Sequence, residues 1–464
     1  MKKILFLIFL PAIFFCQDYL SIEDALAMGL ENSNKRSVIE SNFQIKNLQF
    51  ENYKKSFLPQ VSINTSLPYQ RSIQEVLQYD GSVSLLERNF LGPSINFTTK
   101  QILPFTGGEI SLTNSVGMNK DLENKKTAFS SNWLNLIYSQ NINGFNSYKW
   151  EKKKYVYSRK IDSITYRKQK IQLKTEVAKI YTDAYLLQIK CSLTKNNIIK
   201  AKTLLEQLTI KRDMGRALNI DTDQLQITLA QLSQKLESDK FELGYLLEQL
   251  SNHIKLEKKD SLILLPINDN SFEISKQKLK EYFIKTNFEN NAQLELVKAD
   301  EKINKVTKEG AVSLFLQLGI GVNSSSNELN NLFNSPAQRQ TVSVGAYIPI
   351  LNWGILRNNK KIAEIEKDIL KKELIQTQNE YLIQSDKLYD YLLSLNTQIG
   401  IAEKEVKVQE DVNTQIYELL QYQKRTAYDY KNQLFEYEKS LISYNELLIR
   451  RFILYLNFEE ILLF

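Results

Sequence analysis

Apolar residues recur every three or four positions along two stretches of the chain. Leu225, Leu229, Leu232, Leu236, Asp239, Leu243, Leu246 and Leu250 keep a 4-3-4-3 spacing with one polar interruption, and Tyr430, Leu434, Tyr437, Leu441, Tyr444 and Leu448 keep it again. An ordinary bundle core can carry such a pattern, but a sustained period near 3.5 favours helices that wind around partners as a coiled coil. A long charged run precedes each seam. Proline is absent from Phe105 to Leu265 and from Ile350 to Phe464, and glycine is nearly absent from the helical parts of both stretches. Because proline costs ~3 kcal/mol and glycine ~1 kcal/mol inside a helix, such runs can form very long helices. One from Asn146 to about Asp213 would reach ~100 Å.

Between the helical runs the period changes to two. Leu314, Leu316, Leu318, Ile320 and Val322 alternate with Ser313, Phe315, Gln317, Gly319, Gly321 and Asn323, and Val342, Val344, Ala346 and Ile348 alternate with Thr341, Ser343, Gly345 and Tyr347. About ten residues per run, apolar on one side and polar on the other, suit a tilted membrane strand facing lipid and lumen. A soluble hairpin is the competing reading. In the first half Val61 to Pro68, Ser94 to Leu103, Glu109 to Met118 and Trp133 to Ile142 are strand candidates, with a turn at Pro104-Phe105-Thr106-Gly107-Gly108. That gives four candidates against two, and one first-half hairpin could lie outside a barrel wall. So few strands cannot close a barrel alone, and open edges are not tolerated in lipid, so a barrel would need several copies to pool strands.

The layout occurs twice. Ile142-Asn143-Gly144-Phe145-Asn146 and Ile350-Leu351-Asn352-Trp353-Gly354 each close a strand and open a long helix, and 76 residues separate Phe145 from Asp221 and Trp353 from Asp429. Each half then reads helix, helix, strands, long helix out, shorter helix back, which suggests duplication. The front helices start near Ser21 and Asn34 in one half and near Ser275 and Asn290 in the other. Pro266 marks the boundary. The expected organisation is a signal segment 1–16, a first repeat 17–265 and a second repeat 266–464.

Composition narrows the function. Lys2 and Lys3, the apolar run Ile4 to Phe15 and polar Gln17 and Asp18 read as a secretory signal, too short to span a bilayer. Bulky Phe14 and Phe15 before Cys16 favour plain cleavage over lipidation. The mature chain then keeps one thiol, Cys191, which excludes an internal disulfide framework. The formal charge of +7 comes from interspersed rather than blocked residues, so it marks solvated helix surface and not a nucleic-acid patch. His253 is the single histidine, just past the last heptad leucine, and reads as a surface or helix-end residue. With no glycine-rich phosphate loop and no Cys/His cluster, enzyme readings fail; neither a cofactor nor a metal is implied.

These segments resemble the TolC family of outer-membrane efflux proteins over essentially the whole mature chain. The resemblance rests on Leu20-Ser21-Ile22-Glu23-Asp24-Ala25-Leu26, on Phe57-Leu58-Pro59-Gln60-Val61, and on Tyr347-Ile348-Pro349-Ile350-Leu351-Asn352-Trp353-Gly354. Asn141 stands where the first copy of the last motif usually has proline. The resemblance implies a mainly α fold with membrane β: duplicated helical hairpins forming a trimeric α-barrel through the periplasm, continued by a shared β-barrel in the outer membrane. It implies a homotrimer, a periplasmic adaptor (membrane fusion) protein, an inner-membrane RND or ABC transporter, and outer-membrane lipid as partners. The family's barrel takes four strands per copy, twelve in all; six per copy would make eighteen.

The same resemblance locates a periplasmic constriction. Asp429 matches the first carboxylate position of an acidic ring, Asn432 replaces the second carboxylate, Arg425 matches a basic residue at that turn, and Asp221 and Gln224 match acidic and polar positions on the first hairpin. Three charges from Asp429 then replace six, with Asp223 as a candidate for compensation. The function implied is passive export of small molecules or of a secreted protein. A periplasmic coiled-coil scaffold would explain the heptads but not the paired strands. An adaptor would have one hairpin between compact β domains, not two hairpins with few strands.

Overall fold

The computed structural model describes residues 19–256, 262–267 and 274–462. The expected signal segment and Cys16 lie outside them. In chain order the elements are β1 (Tyr19–Leu20), α1 (Ile22–Asn32), α2 (Asn34–Lys55), β2 (Gln60–Ser66), β3 (Tyr69–Leu77), β4 (Val83–Leu91), β5 (Ser94–Leu103), β6 (Gly108–Asp121), β7 (Thr127–Ile142), α3 (Ser147–Asp213), α4 (Asn219–Ile254), β8 (Ile263–Leu264), α5 (Lys276–Phe283), α6 (Asn290–Glu309), β9 (Ser313–Ser326), β10 (Ala337–Tyr347), α7 (Ile355–Gln421) and α8 (Ala427–Leu462). The fold is mainly α with a β-sheet and an internally duplicated plan. α3 and α7 are each 67 residues long, and α4 and α8 are each 36. The chain groups into two units, each drawing on both halves of the sequence.

The first unit comprises residues 1–43, 163–286 and 380–464. Ser21 caps α1 by accepting the Asp24 N–H at 3.1 Å, and Ser275 caps α5 by accepting that of Lys278 at 3.2 Å. The front ends of the two halves thus start their helices by the same side-chain chemistry. They then differ. α1 and α2 part at extended Ser33, whereas a π-helical turn, Ile284–Glu289, joins α5 to α6. β1 pairs in parallel with β8, bringing the start of the described chain beside the segment between the halves. Buried Tyr181 of α3 fixes this pair, its hydroxyl lying 2.8 Å from the carbonyls of Leu20 and Leu265, and Gln188 hydrogen-bonds both the N–H and the carbonyl of Leu264 at 2.9 Å. Leu173, Val177, Ala178, Leu250 and Ile254 pack around them. Gly29 is required here, because a β-carbon in its place would come within 2.7 Å of Val177.

The seam leucines lie on the faces that pack. Leu225 and Leu232 of α4 are buried with Tyr430 and Leu434 of α8 and with Leu204, Leu208 and Leu420 of the long helices. Leu243, Leu246 and Leu250 join the cluster around Tyr181. Lys235 of α4 pairs with Glu438 of α8, whose side chain is buried. Cys191 is a free, buried thiol, and its burial raises its pKa. The ring of His253, in the last turn of α4, meets the Gln249 carbonyl at 2.9 Å. Among the described residues no helix is long and apolar enough to cross a membrane.

The second unit, residues 44–162 and 287–379, holds an antiparallel sheet. β2 pairs with β5 and β3 with β4, so that Leu67-Pro68 faces Gly92-Pro93 between two segments of one bent hairpin. β5 and the end of β4 then pair with β6, followed in order by β7, β9 and β10. The sheet corrects the expected strands. The first stops at Ser66 rather than reaching Pro68, and β3 and β4 extend the hairpin beyond both ends foreseen for it. Pro68 and Pro93 cannot donate to a ladder, which is why the strands break there.

One face of the sheet is predominantly apolar. Ile63, Phe97, Val116, Met118, Trp133, Leu136, Tyr138, Ile142, Leu314, Leu316, Leu318, Ile320, Val322, Val342 and Val344 share it by register. The other carries Ser62, Asn64, Asn96, Thr98, Ser111, Thr113, Ser139, Gln317, Thr341 and Ser343, with Phe90, Ile102, Ile137 and Phe315 among its apolar exceptions. A bulge at Leu134, with φ +47°, adds one residue to β7 and keeps Trp133 on the apolar face. Trp133 there meets Phe333 of the β9–β10 loop edge-on, ring centres 5.1 Å apart.

Candidate functional site

All five residues expected at the constriction sit at or just beyond the turns that join α3 to α4 and α7 to α8. The two turns are built alike. At the first, Gly215 takes φ +66°, its N–H donates to the Arg212 carbonyl, and the Arg216 N–H reaches back to Lys211 at 2.7 Å. At the second, Gln423 takes φ +59°, its N–H donates to Leu420, and the Lys424 N–H reaches Leu419 at 2.9 Å. Both are Schellman endings, which satisfy the last carbonyls of a helix through one left-handed residue.

The next helices start differently. Thr426 caps α8: its hydroxyl accepts the Asp429 N–H, and the Asp429 carboxylate accepts the Thr426 N–H, both at 3.1 Å. This is a reciprocal capping box. These hydrogen bonds, with a smaller contribution from the Arg425 charge, hold the Asp429 carboxyl below its usual pKa. α4 has Leu218 at the same place, which offers no side-chain cap. Asp221 instead turns to the neighbouring hairpin and accepts the Ala427 N–H at 3.1 Å. Lys211 makes a second tie in the same direction by donating to the Gln421 carbonyl at the end of α7.

Asp221, Arg425 and Asp429 line one groove of about 500 Å³ with Leu208, Leu218 and Leu420. Arg425 is exposed, while Asp221 and Asp429 are half-buried. Gln224 and Asn432 do not line it. Gln224 lies one turn further along α4, half-buried, with its carbonyl accepting from the Thr228 hydroxyl at 2.8 Å, and Asn432 is exposed on α8. Asp223 is exposed as well. The structure therefore brings three of the five residues together. Thr426 and Lys211 were not foreseen. Thr426 was readable from Thr-Ala-Tyr-Asp ahead of a seam, a capping signature. The tie from Lys211 spans 210 residues of sequence and left no local signal. Among the described residues no group of three or more His, Cys, Asp and Glu side chains could hold a metal ion.

Residues 291–426 match the family model described as outer membrane efflux protein. No curated protein matches the chain. Among solved structures, the chain is similar to CusC, described in terms of transmembrane channel formation, at 15% identity with a TM-score of 0.67, covering 95% of this chain and 91% of that one. It is also similar to the CmeC outer membrane channel of Campylobacter jejuni, at 14% identity and a TM-score of 0.63 over 94% of this chain and 84% of that one. The outer membrane protein VceC of Vibrio cholerae aligns over 95% of both chains at 11% identity and a TM-score of 0.63. At these identities the structures establish the fold, and the family match extends over residues 291–426. The chain therefore has a TolC-like fold, and its residues 291–426 match the outer membrane efflux protein family.

Proposed function

We propose that this chain is a passive export duct of the outer membrane, assembled as a homotrimer whose helical hairpins line a periplasmic conduit. The observation that carries the reading is the two-faced sheet. Its apolar side is uncovered in the chain, with Leu136, Leu318 and Val342 all exposed, while its other side is rich in Ser, Thr and Asn. A soluble protein rarely leaves such an apolar face open, whereas a barrel puts one face to lipid and the other to a watery lumen. Repeats 17–265 and 266–464 each supply strands and one hairpin. The conduit works with a periplasmic adaptor and an inner-membrane RND or ABC pump, which supply the energy, and it passes small molecules or a secreted protein.

The turns at Gly215 and Gln423 form the resting constriction. Asp221 and Asp429 supply its charge, Arg425 stands beside Asp429, and Gln224 and Asn432 extend a polar lining one turn further. A ring of carboxylates in a narrow pore favours cations. In this reading Asp429→Ala lowers cation selectivity and weakens block by multivalent cations, and Arg425→Ala raises resting conductance. Fractionation tests the function itself. The protein is expected to remain with the outer membrane after salt and carbonate washing, and release into the soluble fraction would overturn the reading.

A further inference from the structure

The sheet fixes how many strands one copy contributes and where the next copy must join. β2 with β3, and β4 with β5, form two bent columns, and β6, β7, β9 and β10 are four more. All neighbours are antiparallel, so an even count leaves the two outer columns running in opposite directions. The first hairpin is no appendage. Val61, Ile63, Ile95 and Phe97 fall in register on the same face as Val116, Leu136 and Leu318, and Ser62, Asn64, Asn96 and Thr98 fall on the face of Ser111 and Gln317. The turn that leads from it into β6 is tied into the fold too: the Asn146 side chain donates to the Pro104 carbonyl at 3.0 Å, and that of Gln140 to Thr106 at 2.9 Å.

β2 and β10 are the columns without an outer neighbour at this level of the sheet. Ile63 is 64% exposed and Val342 74%, against 41% for Leu318 and 43% for Leu136 in the interior of the same apolar face. Unpaired strand edges cannot stand in hydrocarbon, where no water satisfies their N–H and C=O groups. The matching occupant is another copy of this chain, because its opposite edge runs antiparallel and carries the same apolar and polar faces. Resting on the outer-membrane channel reading, we propose that every copy puts six strands into the barrel wall. β2 of one copy pairs antiparallel with β10 of the next, so that three copies close eighteen strands. Diameter grows roughly linearly with strand number, so this wall is about 1.5 times as wide as one made from four strands per copy.

Cysteine pairs across the joint test the proposal in outer-membrane preparations of the full chain. Ser62→Cys and Asn64→Cys on β2 are combined in turn with Thr341→Cys and Ser343→Cys on β10, all on the polar face, with each single variant as control. A parallel set pairs Ser111→Cys or Thr113→Cys on β6 with the same β10 positions, as expected if the first hairpin lay outside the wall. Mild oxidation is expected to link copies through at least one β2–β10 pair and through no β6–β10 pair. Linkage of β6 to β10, or none from β2 to β10 in a trimer, would overturn the six-strand wall. Carbonate fractionation of the same variants separates that failure from failure of the channel reading, which would show as loss of the protein from the membrane.

Discussion

The two hairpin turns make the same bend from different residues. Gly215 and Gln423 occupy the same left-handed position in the same ending, yet only glycine takes that conformation without a steric cost. Thr222 and Tyr430 are both fully buried one turn beyond, one small and one large. Asp221 and Asp429 sit at the same distance from the start of their long runs. Asp429 serves its own helix, and Asp221 serves the other hairpin. Duplication therefore kept the backbone geometry while the side chains divided the work. The second turn is closed on itself, and the first holds the second.

The core is where the two turns should separate most. Tyr430→Ala empties a buried aromatic site and is expected to cost about 3 kcal/mol, against about 1 kcal/mol for Thr222→Ala. Urea midpoints of the helical signal in detergent-extracted protein check this, and equal losses would deny that Tyr430 carries the shared core. A second test exchanges the left-handed residues. Gly215→Ala should lose about 1 kcal/mol and Gln423→Gly should gain somewhat less, measured the same way. Loss from both would mean that the two endings are not equivalent.

Acid provides the finest distinction. The Thr426 hydrogen bonds, aided by Arg425, depress the Asp429 pKa, so their stabilisation is present above the ordinary carboxylate range and fades as pH falls through the depressed value. Thr426→Ala is expected to remove about 1 kcal/mol at neutral pH and to flatten the loss of stability below about pH 4. Leu218→Ala at the first turn should leave that pH profile unchanged. Identical profiles for Thr426→Ala and the parent chain would remove the capping box from the account.

The sequence made the long helices, their turns and their front caps legible, because each follows from local rules. A run free of proline, a Ser ahead of a helix and a 3.5-residue seam need no knowledge of neighbours. The clean alternation of β9 made its two faces readable as well. β3 and β4 are not legible because Arg71, Glu75 and Glu87 interrupt their alternation, and their pairing with each other decides their structure. The bond from Asp221 to Ala427 has no local signal for the same reason at longer range: the two residues are 206 positions apart. Spacing marked Asp221 and Asp429 as counterparts, but only the structure separates a carboxylate that caps its own helix from one that braces its neighbour.

Single-channel conductance of the detergent-extracted protein in a planar bilayer, with the mass of the same sample determined alongside, shows whether three copies form a cation-preferring duct. A trimer giving stable, cation-preferring steps, with that preference reduced in Asp429→Ala, is the result this account predicts. A protein that never inserts, or that runs as a monomer or dimer, would contradict it.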